Sequence, residues 1–526
     1  MSLLWILGNL RAAGILAAIV LAAAFFACGT SPGLTRLATV PAPKNPKTTV
    51  FLPATTCQTC HPAQYNEWAT SMHAYAQHSP VFIAFNSFVL KGTGGSLGTF
   101  CVRCHSGIGI SSGESAIEPN RKRSSVAMES VTCMTCHSQS ANFVEATGQI
   151  PVPVPGDPEP TVYGPYYGSD EPGAPSDPSV HLIKTPHKSR HSPLFTSGHL
   201  CGACHDVFTP DGFRLEEAYS EWKNGPYARR GIVCEDCHMG PEAGKPTPHS
   251  KLPEDYIVNN SIFPTAPRRH ISSHKFTGPD YSVIEDFGKN ELFLGDKGFA
   301  ELQTHLDSER ETLLRNAATV DVSHPDSVRP GSTMRFDVTV TNSGAGHNLP
   351  TGFASERQVW LEVTVLDGSG EKLYESGNFD QYQDLRDYES IAVHDGSLPY
   401  DSNLFNLEAT FVITNFLGTQ SEAISTTNRL LGPVPFLAPP PSPTFLQGFA
   451  FAGRVFKEGI PPLKSKTATY RVGVPTDAIG PLKLSVRLRY RNFPAHFLRD
   501  LGVADVIPKL RIVDMKTYEG SISLAK

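Results

Sequence analysis

The chain has 526 residues, of which 40% are apolar and 18% are charged, so it is long enough for two or more globular domains. The formal net charge is only −6, which excludes the strongly basic surface that nucleic-acid binding requires. The 44 glycines and 44 prolines predict long irregular segments between regular elements.

The first 28 residues have the pattern of an export signal. Arg11 precedes the unbroken apolar run Ala12–Ala27, which falls short of the about 20 residues of a membrane-spanning helix and is typical of a secretory signal peptide. Small and apolar residues lead into Cys28, as in a bacterial lipobox. We therefore expect a signal peptide over 1–28, lipidation of Cys28 and a linker over 29–50. Ordinary cleavage and an uncleaved anchor stay open as alternatives, and all three predict export.

The remaining ten cysteines form five C-x-x-C pairs, each followed directly by a histidine. The pairs are Cys57 and Cys60 with His61, Cys101 and Cys104 with His105, Cys133 and Cys136 with His137, Cys201 and Cys204 with His205, and Cys234 and Cys237 with His238. No cysteine is left for a disulfide, although an exported protein could form one.

This arrangement discriminates between three kinds of cysteine chemistry. Zinc sites commonly use two C-x-x-C pairs per metal and do not need a histidine after every second cysteine. A thioredoxin-like redox site would use one such pair in a βαβ context. C-x-x-C-H is the attachment signature of c-type haem, in which the two cysteines bind the porphyrin and the histidine reaches the iron. We therefore expect five covalently bound haem c groups, each with its motif histidine as an axial metal ligand.

Spare histidines are concentrated in the same part of the chain. The segment Ala63–Ala76 lacks glycine and proline and has helical spacing of aromatic residues, which places His73 on a short helix after the first motif. A lone histidine is more often a surface residue than a ligand, but nine spare ones among five haems point to sixth iron ligands. They are His73, His78, His181, His187, His191, His199, His249, His270 and His274.

Several local patterns are similar to those of the multihaem cytochromes of the cytochrome c-554/c-552 family. They are CQTCHPAQYNEWATSMHAYA, YGPYYG followed by HKSRHSPLFTSGHLCGACHDVF, AYSEWKNGPYARRGIVCEDCHMG, and RRHISSHKFTG. The resemblance implies a pentahaem cytochrome whose distal ligands include a histidine after a haem helix and one in an H-x-F-x-G-like segment. It favours His73 and His274 as distal metal ligands, with His187 or His191 as a third, and leaves the pairings unassigned.

The tetrapeptide Tyr65–Trp68, YNEW, recurs as YSEW at Tyr219–Trp222. His73 lies five residues after the first copy, whereas Tyr227 lies five residues after the second. If the copies are related, another histidine serves the second haem or its iron is open. Chance recurrence of an aromatic-rich tetrapeptide is the alternative.

After Gly278 there are no cysteines, and the pattern changes. Phe299–Ala318 has helical periodicity and predicts a linker helix. Alternating apolar and polar residues then predict an antiparallel β-sandwich of immunoglobulin type. Its predicted strands lie in Met334–Asn342, Arg357–Gly377, Thr467–Pro475 and Leu482–Arg491. The expected fold is thus a haem-packed, mostly α and irregular domain over 51–278, linker helices over 279–318 and the sandwich over 319–526.

The second half also resembles domains that follow multihaem segments in the same family. The carrying patterns are NSGAGHNLPTG, VWLEVTVLDGSGE and LSVRLRYRNFP. His347, in the glycine-rich turn, could reach the haem domain as a distal metal ligand or could cap its own loop, and both readings stay open. The expected work of this domain is packing or docking.

The sequence favours an electron carrier. About 230 residues would hold five haems, so the macrocycles must form the core and lie close enough for electron exchange. We expect an exported, lipid-anchored pentahaem cytochrome at the periplasm, outer membrane or surface of a bacterium, between a redox-protein or quinone-linked donor and an outer acceptor. The rival is an oxidoreductase acting on a small nitrogen or sulfur compound at one open haem, for which Tyr227 leaves room. A structural subunit of a haem filament or of a larger complex is a third alternative, and the chain could form a homo-oligomer.

Overall fold

The structure is a computed structural model that describes residues 51–140, 148, 161–169, 171–174, 187–208, 214–414, 421–424, 453–456 and 458–525. These residues belong to one compact unit, Asn45–Lys526. The predicted signal peptide 1–28, with Cys28, and most of the linker 29–50 belong to the residues outside this description. Among the residues described, no helix has both the length and the apolar character needed to cross a bilayer.

The first part of the chain is built from short helices joined by irregular segments. Serine side chains cap several of them: Ser71 accepts from the Ala74 amide and Ser79 accepts from the Phe82 amide, which satisfies amides that the first helical turn leaves without partners. The helices are Ala54–Gln58, Pro62–Ala69, Met72–Tyr75, Pro80–Gly92, Val102–His105, Gly107–Ser111, Ser125–Met128, Cys133–His137, Ala218–Lys223 and Cys234–His238.

Three pairs of short strands and several 3₁₀ turns complete this part. Strands β1 (Val162–Gly164) and β2 (Ser189–His191) pair in parallel. The pairs β3 (Val207–Phe208) with β4 (Arg214–Glu216) and β5 (Glu254–Tyr256) with β6 (Arg268–His270) are antiparallel. The 3₁₀ turns are Asn120–Lys122, Pro193–Thr196, Cys201–Ala203, Ala228–Arg230 and His249–Lys251.

A long helix, Gly295–Ala317, follows the short Lys289–Leu292 helix and connects the two parts of the chain. It begins four residues before the helix expected from the sequence. Phe299 packs into a cluster with Tyr65 and Trp68 of the first part. Leu314, near the other end, belongs to the main core of the sheet-rich part. The helix therefore packs against both parts of the chain.

The second part is rich in antiparallel sheet. Its strands are β7 (Ala318–Ser323), β8 (Ser327–Val328), β9 (Thr333–Asn342), β10 (Gln358–Leu366), β11 (Lys372–Ser376), β12 (Thr410–Thr414), β13 (Ser421–Ile424), β14 (Gly453–Phe456), β15 (Ser465–Gly473), β16 (Leu482–Arg491) and β17 (Val513–Leu524). Two helices, Ile391–His394 and Ala495–Leu501, and the 3₁₀ turns Ala354–Glu356 and Ala504–Lys509 lie between them.

These strands form three sheets, with the orders β11-β10-β16-β17-β8, β15-β9-β7 and β13-β12-β14. All their pairings are antiparallel except β17 with β8. Alternate residues of β9, such as Phe336 and Val338, share one buried core with Leu361 of β10 and Leu484 of β16. This alternation is the period-2 pattern that predicted the strands. The immunoglobulin-type sandwich stays a prediction, as do the domain boundaries at 278 and 319.

The two parts differ in how they bury apolar surface. One cluster of 24 buried residues forms the core of the sheet-rich part. Around a cavity of about 1400 Å³, the described residues form smaller clusters of three to seven buried residues, one of which includes Phe497 and Leu498 of the sheet-rich part. The cavity is therefore where a core would otherwise lie.

Candidate haem site

All five C-x-x-C-H motifs line this cavity, with both cysteines and the histidine of each. In the third and fifth motifs the whole pentapeptide is a helix, Cys133–His137 and Cys234–His238. In the first, the His61 amide donates to the Cys57 carbonyl at 2.8 Å, which is the same helical turn. Because residues three apart share a face of a helix, each turn presents its two thiols together.

Each motif histidine is fixed through its Nδ1 atom. The acceptors are Ile257 O for His61 at 2.8 Å, Ala76 O for His105 at 2.9 Å, Tyr163 O for His137 at 2.6 Å, Glu216 Oε1 for His205 at 2.8 Å and Thr277 O for His238 at 2.8 Å. A ring that donates from Nδ1 keeps its Nε2 lone pair for a metal. This donor set fits an iron ligand in all five motifs.

Three motif histidines face a second histidine ring. The ring centroids are 6.4 Å apart for His205 and His73, 6.4 Å for His137 and His274, and 6.2 Å for His238 and His347. Two metal–nitrogen bonds of about 2.0 Å, plus about 1.1 Å from each ring centre to its nitrogen, give a linear separation of about 6.2 Å. The three pairs therefore have the spacing of two axial ligands on one iron.

Separation alone does not mark such a pair. His249 and His270 are also 6.2 Å apart, but neither belongs to a C-x-x-C-H motif and their planes are at 72°. The His249 Nε2 atom lies 3.3 Å from the Tyr166 hydroxyl. The combination of a motif histidine with a facing histidine sets the other three pairs apart.

The facing histidines come from three different segments, and all three line the cavity. His73 lies in the helix Met72–Tyr75. His274 and His347 lie in irregular segments, and their Nδ1 atoms donate to Ser272 O at 3.1 Å and Asn348 O at 2.9 Å. Burial lowers the pKa of His73 to about 3 and that of His274 to about 4. These rings are therefore neutral, as metal ligands must be.

His205 differs from the other motif histidines because its acceptor is a carboxylate. Strand β4 pairs with β3 directly after the fourth motif, and this places Glu216 against the His205 ring. Burial lowers the pKa of His205, but the charge and hydrogen bond of Glu216, together with the charges of Cys204 and Cys234, outweigh burial and raise it to about 9. For His105, His137 and His238, burial lowers the pKa. The fourth motif is thus the one whose proximal ring donates to a carboxylate rather than to a backbone carbonyl.

The other predicted ligands are placed less favourably. In the described part of the chain, His61 and His105 have no ring contact with a second histidine, and the flat side of the His105 ring is covered by Phe82 at 3.6 Å. His187 lines the cavity close enough to His137 to affect its pKa. His191 is outside the cavity lining and stacks on Tyr167 at 4.3 Å. Ligand roles for His187 and His191 stay predictions.

Tyr227 does not take the place of a ligand. It is outside the cavity lining, its hydroxyl donates to Ser343 O at 3.3 Å, and its ring packs against Gly346. The loop that it supports carries His347, which faces the fifth motif histidine. Tyr227, five residues after the second YxEW copy, therefore helps to hold His347, which lies 120 residues later in the sequence.

Thiols of different motifs meet within the cavity. Cys133 lies close enough to Cys57 to lower its pKa, and the pKa values of Cys201 and Cys204 are raised by Cys234 and Cys104. The sulfur atoms of Cys201 and Cys234 lie within 4.8 Å of one another and of a Glu235 carboxylate oxygen. These contacts join the first motif to the third, and the second and fifth motifs to the fourth, so the attachment points form two groups.

Comparison with known proteins agrees with this site. The family described as "Cytochrome c554 and c-prime" matches residues 56–138, the segment that holds the first three motifs. Among solved structures, the fold is similar to a penta-heme cytochrome c552 from Thermochromatium tepidum, with a TM-score of 0.52 and 16% identity over 90% of this chain and 99% of that chain.

A second solved structure, the CARDB domain of the PF1109 protein from Pyrococcus furiosus, aligns with 40% of this chain and 87% of its own at 10% identity. Its TM-score of 0.15 is too low to support a shared fold. No curated protein matches the chain. The family match and the T. tepidum fold support a multihaem c-type cytochrome with haem c as its cofactor.

Proposed function

We propose that this chain is an exported pentahaem c-type cytochrome that transfers electrons between redox partners of the cell envelope. The observation that carries the proposal is that all fifteen cysteines and histidines of the five motifs line one cavity. Bound haem would supply a one-electron iron couple at each motif. Export and lipidation of Cys28 are part of the proposal and rest on the sequence of residues 1–28.

The protein's own residues would hold the irons in a state suited to electron transfer. Nδ1 hydrogen bonds fix the five proximal rings. The sixth position of each iron would be filled by the facing histidine: His274 at the third motif, His73 at the fourth and His347 at the fifth. Two protein ligands on one iron leave little to rearrange when it changes oxidation state. The contacts between thiols of different motifs support haem edges close enough for exchange.

A second candidate function has a specific observation in its favour. His61 and His105 lack a facing histidine ring among the described residues, whereas the other three motif histidines have one. An iron with a free position can bind a small nitrogen or sulfur compound, as the enzyme alternative requires. Carrier and enzyme therefore differ in the state of the first and second haems.

The test is the visible and electron paramagnetic resonance spectrum of the purified holoprotein, recorded with and without carbon monoxide. Mass spectrometry first counts the attached haems, for which the proposal expects five. A carrier with filled irons gives five low-spin signals that carbon monoxide does not change. A high-spin signal that shifts with carbon monoxide identifies an open iron and favours the enzyme, and a count below five contradicts the pentahaem assignment.

Lipidation has its own measurement. Intact mass spectrometry of the membrane fraction should show an acylated Cys28 as the first residue of the mature chain. A freely soluble mature protein with an unmodified Cys28 would contradict the anchor and leave the haem assignment untouched.

A further inference from the structure

The two YxEW tetrapeptides make the same contacts in the structure. In the first copy, the Tyr65 amide donates to the carbonyl of His61 at 3.0 Å. In the second, the Tyr219 amide donates to the carbonyl of His205 at 2.9 Å. In each copy, the tyrosine amide is thus bonded to the carbonyl of the histidine of the preceding C-x-x-C-H motif. Chance recurrence, the alternative reading of the repeat, does not account for contacts that both copies share here and in the tryptophan and glutamate bonds below.

The tryptophan of each copy fixes a later motif. Trp68 Nε1 donates to Val131 O at 2.8 Å, and Trp222 Nε1 donates to Ile232 O at 2.8 Å. Val131 lies two residues before Cys133, and Ile232 lies two residues before Cys234. The tryptophans therefore hold the entry to the third and the fifth motifs at the same position.

The glutamate of each copy binds the segment that carries the facing histidine of that later motif. The His274 amide donates to Glu67 Oε2 at 2.7 Å, and His274 faces His137 of the third motif. In the second copy, the amide of Asn348, which follows His347, donates to Glu221 Oε2 at 3.0 Å.

The second copy makes two further bonds of this kind. Asn348 Nδ2 donates to Glu221 Oε1 at 2.8 Å, and Thr351 Oγ1 donates to Glu221 Oε2 at 2.5 Å. Both carboxylate oxygens of Glu221 are therefore used to hold the loop whose His347 faces His238 of the fifth motif.

We propose that Glu67 and Glu221 are positioning residues that hold His274 and His347 as sixth ligands of the third and fifth haems. The inference rests on the proposed haem ligation. Hydrogen bonds from backbone amides to a carboxylate are among the stronger ones in proteins, and ligand orientation depends on such outer contacts. The two copies thus form two equivalent units, each made of a motif, a YxEW helix, a second motif and a tethered histidine.

The experiment measures carbon monoxide binding to the reduced holoprotein in the variants Glu67→Gln and Glu221→Gln. Glutamine keeps the size of the side chain but replaces one acceptor oxygen by a donor group. Each variant should leave one iron without its sixth ligand in about tenfold more molecules than in the parent, so that carbon monoxide binds at that haem; a factor of this size corresponds to the loss of a hydrogen bond to a charged group. His274→Ala and His347→Ala supply the reference spectra for the third and fifth haems, and Glu301→Gln, on an exposed helix position, is the matched control.

The result that supports the proposal is specific. The Glu221→Gln difference spectrum matches that of His347→Ala, the Glu67→Gln spectrum matches that of His274→Ala, and adding Glu221→Gln to His347→Ala produces no further change. Thr351→Val, which removes one bond to Glu221, gives a smaller effect at the same haem and serves if Glu221→Gln fails to fold.

Two results overturn it. If the glutamine variants behave like Glu301→Gln while His274→Ala and His347→Ala each open one iron, the ligands are right and the positioning role is wrong. If the alanine variants leave every iron low-spin, the ligand assignment fails, and the positioning role fails with it.

Discussion

Glu216 gives one proximal ring a different electronic character from the other four. Its Oε1 atom accepts from His205 Nδ1 at 2.8 Å, whereas the other motif histidines donate to backbone carbonyls. Arg357 of the sheet-rich part lies close to Glu216. The Nε and Nη2 atoms of Arg357 and the Oε1 atom of Glu216 are all within 3.7 Å of the position that a Cβ atom would take at Gly352. A carboxylate partner makes a ligating imidazole more basic and favours the ferric state.

Replacing Glu216 by Gln should therefore raise the midpoint potential of one haem. A tenfold change in the preference for ferric over ferrous iron equals about 59 mV for a one-electron couple, and we expect a shift of this order. A spectroelectrochemical titration measures it. Glu242→Gln, at an exposed pair with Lys245, is the control and should leave every potential in place. Equal titrations of parent and Glu216→Gln would contradict the tuning role.

Glu389 should make the stability of the sheet-rich part depend on pH. Burial, together with the charges of Asp387, Asp500 and Asp384, raises the pKa of Glu389 to about 8. The neighbouring His496 lies 3.7 Å away but is itself buried, with its pKa lowered to about 3, so it supplies no positive charge. The folded state therefore holds a proton on Glu389 that the unfolded chain releases at a lower pH.

The sign follows from this difference in proton binding. Stability should fall as pH rises from about 4.5 to about 8, by at most about 1.4 kcal/mol per pH unit for this group. Glu389→Gln should be more stable than the parent at pH 9 and similar to it near pH 4.5. Urea unfolding at pH 5, 7 and 9 measures this. The assignment would be refuted if the pH dependence of the free energy of unfolding were the same in Glu389→Gln as in the parent but altered in Glu371→Gln, the control at an exposed position.

At the scale of single residues, the sequence was enough to predict the residues that attach haem but not those whose role depends on long-range contacts. The C-x-x-C-H motif itself identifies the two cysteines and the proximal histidine. His347 was open between ligand and loop cap, because its contact with His238 depends on how two parts of the chain pack. Glu221 and Asn348 are 127 residues apart in the sequence, and no local pattern reveals such a bond.

At the scale of elements, the strands were more predictable than the segments around the motifs. Strand β16 is observed over the predicted range Leu482–Arg491 because its apolar residues alternate without interruption. Strand β17, Val513–Leu524, was not predicted, because many of its residues are polar or small and the alternation of apolar residues is weak. It forms a strand by pairing with β16. The irregular segment around His274 has no periodicity to read, and its conformation depends on partners such as Glu67.

Leu484 tests the core that the strands share. It is fully buried in β16, and Leu484→Ala should lower the free energy of unfolding by about 2–5 kcal/mol because of the lost contacts and the cavity. Lys483→Ala, at the exposed neighbouring position, should change it by about 0.5 kcal/mol or less. Denaturant unfolding followed by circular dichroism compares them. Similar midpoints for the two variants would show that β16 contributes no shared core.

At the scale of the whole molecule, the sheet-rich part holds the haem-binding part together as well as covering it. Arg357 makes two hydrogen bonds to Asp280, of 2.6 and 2.8 Å, and Tyr490 adds a third at 2.9 Å. Glu221 binds the His347 loop, and the helix Gly295–Ala317 packs on both sides. The expectation that this part works in packing or docking stays a prediction, and these contacts are the packing that the structure describes between the two parts.

The cavity makes the cofactor part of the structure. Cys133→Ala should reduce or abolish attachment at the third motif while the other four haems stay bound, because each depends on its own thiols. Thermal stability should fall as well, since the described residues around the cavity form only small apolar clusters. Mass spectrometry of the holoprotein and a thermal melt check both outcomes. Loss of several haems together, or an unchanged melting temperature, would contradict this account.

The position of His347 has a consequence for how the protein is made. His347 lies 109 residues after His238 in the sequence, in a loop next to strand β9. If His347 is the sixth ligand of the fifth haem, as proposed, that iron gains its second protein ligand only when the sheet-rich part has folded. Until then the iron would be open to small molecules in its compartment. Completion of this haem site would thus depend on the folding of a part of the chain that contains no C-x-x-C-H motif.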